Sequence, residues 1–176
     1  MTPSARAQSW LNTGTVFIDT ETTGLSKTDQ VIEIAVIDGL GAVLMDCRIR
    51  PTVPINPHAQ AVHGISARCL EGMPTWDRIH SRFQAAIEGK TVVAFNAAFD
   101  ASLISQTAAA HRLGICFDRT ECAMKLAASH LNSGSRISLA NAAKAVGVTF
   151  DGNAHSALVD IMTTLKLVRA IAGHRT

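Results

Sequence analysis

Apolar positions come in short, strand-like blocks over the first fifty residues and change to helical spacing after Pro74. Residues 15–20 form an apolar run that predicts a first strand, followed by a polar turn over 26–30. Residues 31–38, VIEIAVID, are rich in β-branched side chains and predict strand two. A Gly-Leu-Gly turn at 39–41 leads into strand three over 42–50, stopped by Pro51. Three strands with short links predict an antiparallel meander. Residues 1–13 are polar and expected to fray, with Trp10 as a candidate anchor. Residues 51–73 hold three prolines and predict a long ordered loop with short helical turns.

The second half alternates. Trp76, Ile79, Phe83, Ala86 and Ile87 mark a helix opened by Pro74-Thr75 and ended by Gly89. A short strand over 91–95 and a helix over 100–113 follow, and 115–117 reads as a fifth strand. A helix over 121–131 turns Cys122, Leu126, Ala127 and Leu131 inward. After a Ser/Gly loop at 132–136, Ser138 caps a helix with Leu139, Ala142, Ala143 and Val146 inside. A turn over 150–153 precedes a last helix from about 156 to 172, striped by Leu158, Ile161, Leu165 and Val168. The fold expected is α/β: one domain spanning 1–176, with a mixed sheet flanked by helices.

With 176 residues, 47% apolar and 17% charged, the chain is of globular composition and can bury a sizeable core. A net charge of +2 is compatible with a polyanionic partner without arguing for one. Cys47, Cys69, Cys116 and Cys122 form no CxxC pair and no zinc pattern, and are expected to be reduced, mostly buried thiols. No signal-peptide core and no apolar run of the ~20 residues needed to span a bilayer is present, so the expectation is a soluble, cytoplasmic protein without membrane association.

The chemistry starts at Asp19 and Glu21, two residues apart on strand one. Both side chains point to one face of a strand that should be central. Carboxylates side by side repel, and burying them unpartnered is costly, so a divalent cation is the simplest relief. Two later segments supply further acids: Asp100 in NAAFD, where the alternative is a plain N-cap, and Asp160 in HSALVD, where it is a salt bridge. His155 precedes the last helix and should sit on the loop or first turn, since five helical positions would rotate it about 140° from Asp160. Four carboxylates around two cations, with a histidine near an attacking water, could hydrolyse a phosphodiester.

FIDTETTGL, NAAFD and HSALVD, with VHGIS at 62–66 between the first two, resemble in order the DEDDh 3'–5' exonucleases of the DnaQ-like family. The resemblance implies a ribonuclease H-like fold with a mixed five-stranded sheet. It implies two Mg²⁺ or Mn²⁺ ions held by Asp19, Glu21, Asp100 and Asp160, and His155 as general base. A related branch uses tyrosine as base, and this chain contains none. The resemblance also implies that Thr22, Thr23, Gly24 and Leu25 hold the terminal nucleotide, Thr23 meeting the 3'-hydroxyl and Leu25 wedging against the base. Core packing is the alternative for Leu25. His63 either lines that pocket or ties its loop, and Asn96 is either a substrate or ligand-orienting residue or a turn former. Phe99 is expected in the core. Many relatives carry histidine where this chain has Phe95, a position that holds no metal.

The implied activity is 3'–5' hydrolysis of single-stranded or frayed DNA ends with release of nucleoside monophosphates, in proofreading or repair, with a polymerase or repair complex as a prospective partner. The alternatives are an exoribonuclease on short RNA or RNA tails, and a non-catalytic nucleic-acid-binding module.

Overall fold

A computed structural model describes residues 1–134, 136–152 and 155–173. Its frame is one five-stranded sheet in the order β3-β2-β1-β4-β5. β1 (Thr15–Thr22), β2 (Val31–Asp38) and β3 (Val43–Arg48) are the antiparallel meander, while β4 (Thr91–Ala94) and β5 (Arg119–Cys122) run parallel to β1. β1 is therefore the central strand, as its apolar start requires. Helices α1 (Pro3–Trp10), α2 (Pro57–His63), α3 (Trp76–Ile87), α4 (Ala97–Ala110), α5 (Ala123–His130), α6 (Leu139–Ala145) and α7 (Ala157–Ile171) surround it.

Strand alternation divides the core in two. Val16, Ile18, Ile34 and Val36 point to one face and pack against Trp76, Phe83 and Ile87 of α3 and Ile104 of α4. Phe17, Ala35 and Ile37 point to the other face, against Ala127 of α5, Ala142 of α6 and Ile161, Leu165 and Val168 of α7. Asp19 and Glu21 continue the Phe17 series and so look towards the α7 side. Thr20 continues the Val16 series and looks towards α4.

Several expectations are corrected. The N-terminal segment is a capped helix: the Thr2 hydroxyl accepts from the Ala5 N–H, and Trp10 is only 3% exposed. The fifth strand is Arg119–Cys122, paired with β4 from Thr91↔Arg119 to Ala94↔Cys122, while Ile115 and Phe117 pack on the core from a loop. α4 starts at Ala97 with Asn96 at its N-cap, which makes Asp100 the helix's fourth residue. Two of the four thiols, Cys69 and Cys116, are exposed, and all four are free. The proline-rich segment forms α2 and a 3-10 turn at Ala67–Leu70, over Ile32, Ile65 and Leu70. Asn153 of the expected turn and Ser135 of the expected loop lie outside the described residues. No helix among the described residues is long and apolar enough to cross a membrane.

Candidate active site

Three of the four predicted acids meet. Asp19 and Glu21 from β1 and Asp160 from the first turn of α7 each offer an oxygen, all within 4.8 Å of one another. β1 and α7 meet because α7 lies on the face to which Asp19 and Glu21 point. Asp100 is not part of this trio. It belongs to α4, on the opposite face, and its Oδ1 accepts from the Thr20 hydroxyl at 2.9 Å. It is 4% exposed, and its negative charge is the largest electrostatic influence on Asp19. The acids thus reach the end of β1 from both faces of the sheet.

No cation is needed to see the electrostatic stress. Loss of solvent, then the charges of Asp100, Asp160, Glu21 and Glu33, push Asp19 well above the usual carboxylate range. Loss of solvent, then the charges of Asp160, Glu33 and Asp100, bring Glu21 up to about 8. Asp100 is raised by burial, against the pull of the Thr20 hydroxyl. Asp160 is raised by burial, against the nearby His155. Among the described residues, Asp160 Oδ1 is buried with no hydrogen-bond partner. Buried acceptors are nearly always paired, so an unpaired one beside two other carboxylates makes a donor set that suits a cation. The donors are all oxygen, which suits hard divalent ions.

His155 is exposed on the segment leading into α7, with φ +68, and its charge is felt at Asp160. It thus lies outside the helix, where the rotation argument requires it. His63 has both roles considered for it. Its Nδ1 accepts from the Ile65 N–H at 3.0 Å, so Nε2 carries the proton and donates to the Thr22 carbonyl at 3.2 Å. Burial lowers its basicity, in keeping with this neutral form.

A cleft of about 820 Å³ opens beside Glu21, lined by Thr22, Gly24, Leu25, Val62, His63 and Phe99 among others. Leu25 is 82% exposed at its rim, which removes core packing as its role. Phe99 reaches the cleft as well as the core. Thr23 does not reach it: the side chain is fully buried, donating to Asp29 Oδ1 at 2.7 Å and accepting from the Gln30 N–H. That hydroxyl is committed to the turn, leaving Thr22 and Gly24 to face the cleft. Asn96 lies apart, in a smaller cleft beyond Leu25 and Phe99, where its side chain makes no capping bond.

The exonuclease family profile of the RNase T type matches residues 16–168. The chain belongs to this family of DnaQ-like exonucleases. "Uncharacterized exonuclease CP81" of Escherichia phage 186 is 37% identical over 183 residues, covering 97% of this chain and 94% of that protein. The DNA polymerase III epsilon subunit of Escherichia coli K12 is 30% identical over 95 residues, 48% of this chain and 39% of that one. This alignment thus takes in well under half of the polymerase subunit. Among solved structures, exonuclease X in complex with 5' overhanging duplex DNA aligns with a TM-score of 0.68 at 26% identity, over 92% of this chain and 94% of that one. Exonuclease I aligns with a TM-score of 0.76 at 17% identity over 92% of this chain and 41% of that one, a likeness of fold. The expected ribonuclease H-like sheet is the one found.

Sequence reading passed over two residues beside the site. Glu33 is a 7% exposed carboxylate directly across the sheet from Glu21. Asp29 braces the Thr23–Ser26 turn. In Glu33 the signal was an acid amid the apolar VIEIAVID; in Asp29 there was none beyond turn composition.

Proposed function

We propose that the chain is a metal-dependent 3'–5' exonuclease that removes nucleoside monophosphates from single-stranded or frayed DNA ends. The observation that carries this reading is the meeting of Asp19, Glu21 and Asp160 oxygens within 4.8 Å, with Asp160 Oδ1 buried and unpaired among the described residues. Asp19, Glu21 and Asp160, with Asp100 beside Asp19, would hold two Mg²⁺ or Mn²⁺ ions. Such ions supply charge stabilisation to the attacking and leaving oxygens of a phosphodiester.

The chain's own residues do the rest. The apolar rim of Leu25, Val62 and Phe99 offers surfaces on which a nucleobase stacks. His63, holding the Thr22 carbonyl, fixes the end of β1 against α2. Gly24 lets the turn beside the cleft close on Asp29, since a Cβ there would come within 2.7 Å of the Asp29 carboxylate. His155 takes the proton of the attacking water on a ring nitrogen, and its exposed place lets it follow the substrate. DNA is favoured over RNA because exonuclease X, which aligns over nearly its whole length, is solved on duplex DNA with a 5' overhang. Likeness to polymerase III epsilon supports association with a polymerase or repair complex.

The test is a 5'-labelled single-stranded oligonucleotide with Mg²⁺ or Mn²⁺, run against an RNA competitor of equal length. Stepwise shortening from the 3' end, abolished by EDTA and by Asp19→Ala or Asp160→Ala, is expected. An intact DNA strand, or near-normal rates in either variant, contradicts the proposal.

A further inference from the structure

Glu33 is a buried acid that the reaction does not use, yet it touches the helix that carries Asp160. It lies on β2, opposite Glu21 in the β1–β2 register and opposite Arg48 in the β2–β3 register. Like charges directly across a sheet oppose pairing, so its presence needs a compensating reason. Both of its oxygens are engaged. Oε1 accepts from Arg48 Nε at 3.1 Å, and Oε2 accepts from the Ala157 N–H, the first of α7, at 3.0 Å.

That second bond matters because α7 lacks a cap of its own. Ser156 stands at the N-cap, but its side chain makes no capping hydrogen bond. The first N–H groups of a helix have no partner within the helix and attract a negative charge. Glu33 therefore caps α7 from a neighbouring strand. Asp160 lies three residues past Ala157 and His155 two before it, so the same bond fixes where both stand relative to Asp19 and Glu21.

We propose that Glu33 is a positioning residue for the carboxylate site, acting as a cap on α7 supplied by β2. The idea rests on the proposed role of Asp160 as a metal-holding group. A cap works by reach and by an acceptor oxygen, with charge secondary. Gln at this position keeps both reach and acceptor, whereas Asp keeps the charge but is one methylene too short.

The test compares Glu33→Gln, Glu33→Asp and Glu33→Ala with the wild type, by calorimetric titration with Mn²⁺ alone and by kcat and KM on a single-stranded DNA oligonucleotide. Glu33→Asp and Glu33→Ala should weaken Mn²⁺ binding and lower kcat by ~10–100-fold with KM within ~threefold, while Glu33→Gln stays within ~threefold on each. The reverse order, with Asp close to wild type and Gln as poor as Ala, overturns the proposal in favour of a role for the charge. So does a set of variants that lose melting temperature but bind Mn²⁺ as the wild type does. If Glu33→Ala does not fold, the Gln-against-Asp order decides alone. A wild type that degrades no DNA but shows this order of Mn²⁺ affinities would sink the exonuclease reading and leave the cap standing. An active wild type without the order does the opposite.

Discussion

At Asp160 the conflict between stability and function is concentrated in one atom. Among the described residues its Oδ1 has no donor, and an unsatisfied buried acceptor costs about 1–3 kcal/mol, more when charged. Asp160→Asn removes that charge at nearly constant volume. The metal-free protein should then melt higher than wild type, each 1 kcal/mol giving about 2–4 °C, while metal-supported turnover disappears. Calorimetry in EDTA and an oligonucleotide assay check the two halves, and a lower melting point would contradict the first. His155→Ala removes a proton acceptor and no ligand. It should slow cleavage by ~10²–10⁴-fold and leave Mn²⁺ titration unchanged. The shared face of Asp19 and Glu21 was legible in the sequence because two-residue spacing on a strand fixes it. The cleft was less so. Whether Leu25 packs inward or stands at a rim, and whether the Thr23 hydroxyl is free, depends on Asp29 and Gln30, which close the turn from across it. Periodicity carries no trace of that.

Elements were legible where one face is buried and one periodicity dominates. β2 was bounded correctly, and α7 to within one residue, because their apolar patterns are long and regular. β5 was misplaced because Arg119-Thr120-Glu121-Cys122 is polar, an edge strand held by parallel pairing with β4, whereas the apolar Ile115 and Phe117 pack against the core from a loop. α1 was missed because only Ala7 and Trp10 turn inward, too few to print a stripe. Its hold is tertiary: Trp10 is buried against α7-side residues, and Arg6 pairs with Glu121 of β5 at 2.6 Å. Trp10→Ala should therefore cost about 3–5 kcal/mol in urea unfolding, far more than a frayed terminus would. A change below about 0.5 kcal/mol would mean that α1 contributes little to the fold. The turn after β1 is equally specific. Gly24→Ala places a Cβ 2.7 Å from Asp29 Oδ2, which accepts from the Ser26 N–H, and 2.9 Å from Oδ1, which accepts from the Thr23 hydroxyl, so the turn must shift. KM for the oligonucleotide should rise about tenfold or more with smaller effects on melting. An unchanged KM would remove this turn from the substrate's path.

Across the whole molecule, the ionised carboxylates of the site oppose the fold. Glu21 ordinarily titrates near 4.5 and is lifted to about 8, and Asp19 is lifted in the same direction. A raised folded-state value means that the neutral forms favour folding. Stability from this source is present below the ordinary carboxylate range and is lost as pH rises through about 8 in metal-free protein. A divalent ion that binds the deprotonated cluster reverses the trend, so Mn²⁺ should raise the melting temperature more at about pH 8 than at about pH 5.5. Equal shifts at both would place the ion elsewhere. The sheet makes such a site feasible, since β1 lies at its centre and α4 and α7 bring acids to its end from opposite faces. The most direct measurement is a crystal structure with Mn²⁺ and a nucleoside monophosphate, read by anomalous scattering. The account predicts one manganese peak among Asp19, Glu21 and Asp160, a second on the Asp100 side, and the base against Leu25. Ordered nucleotide with no manganese among those carboxylates would contradict it.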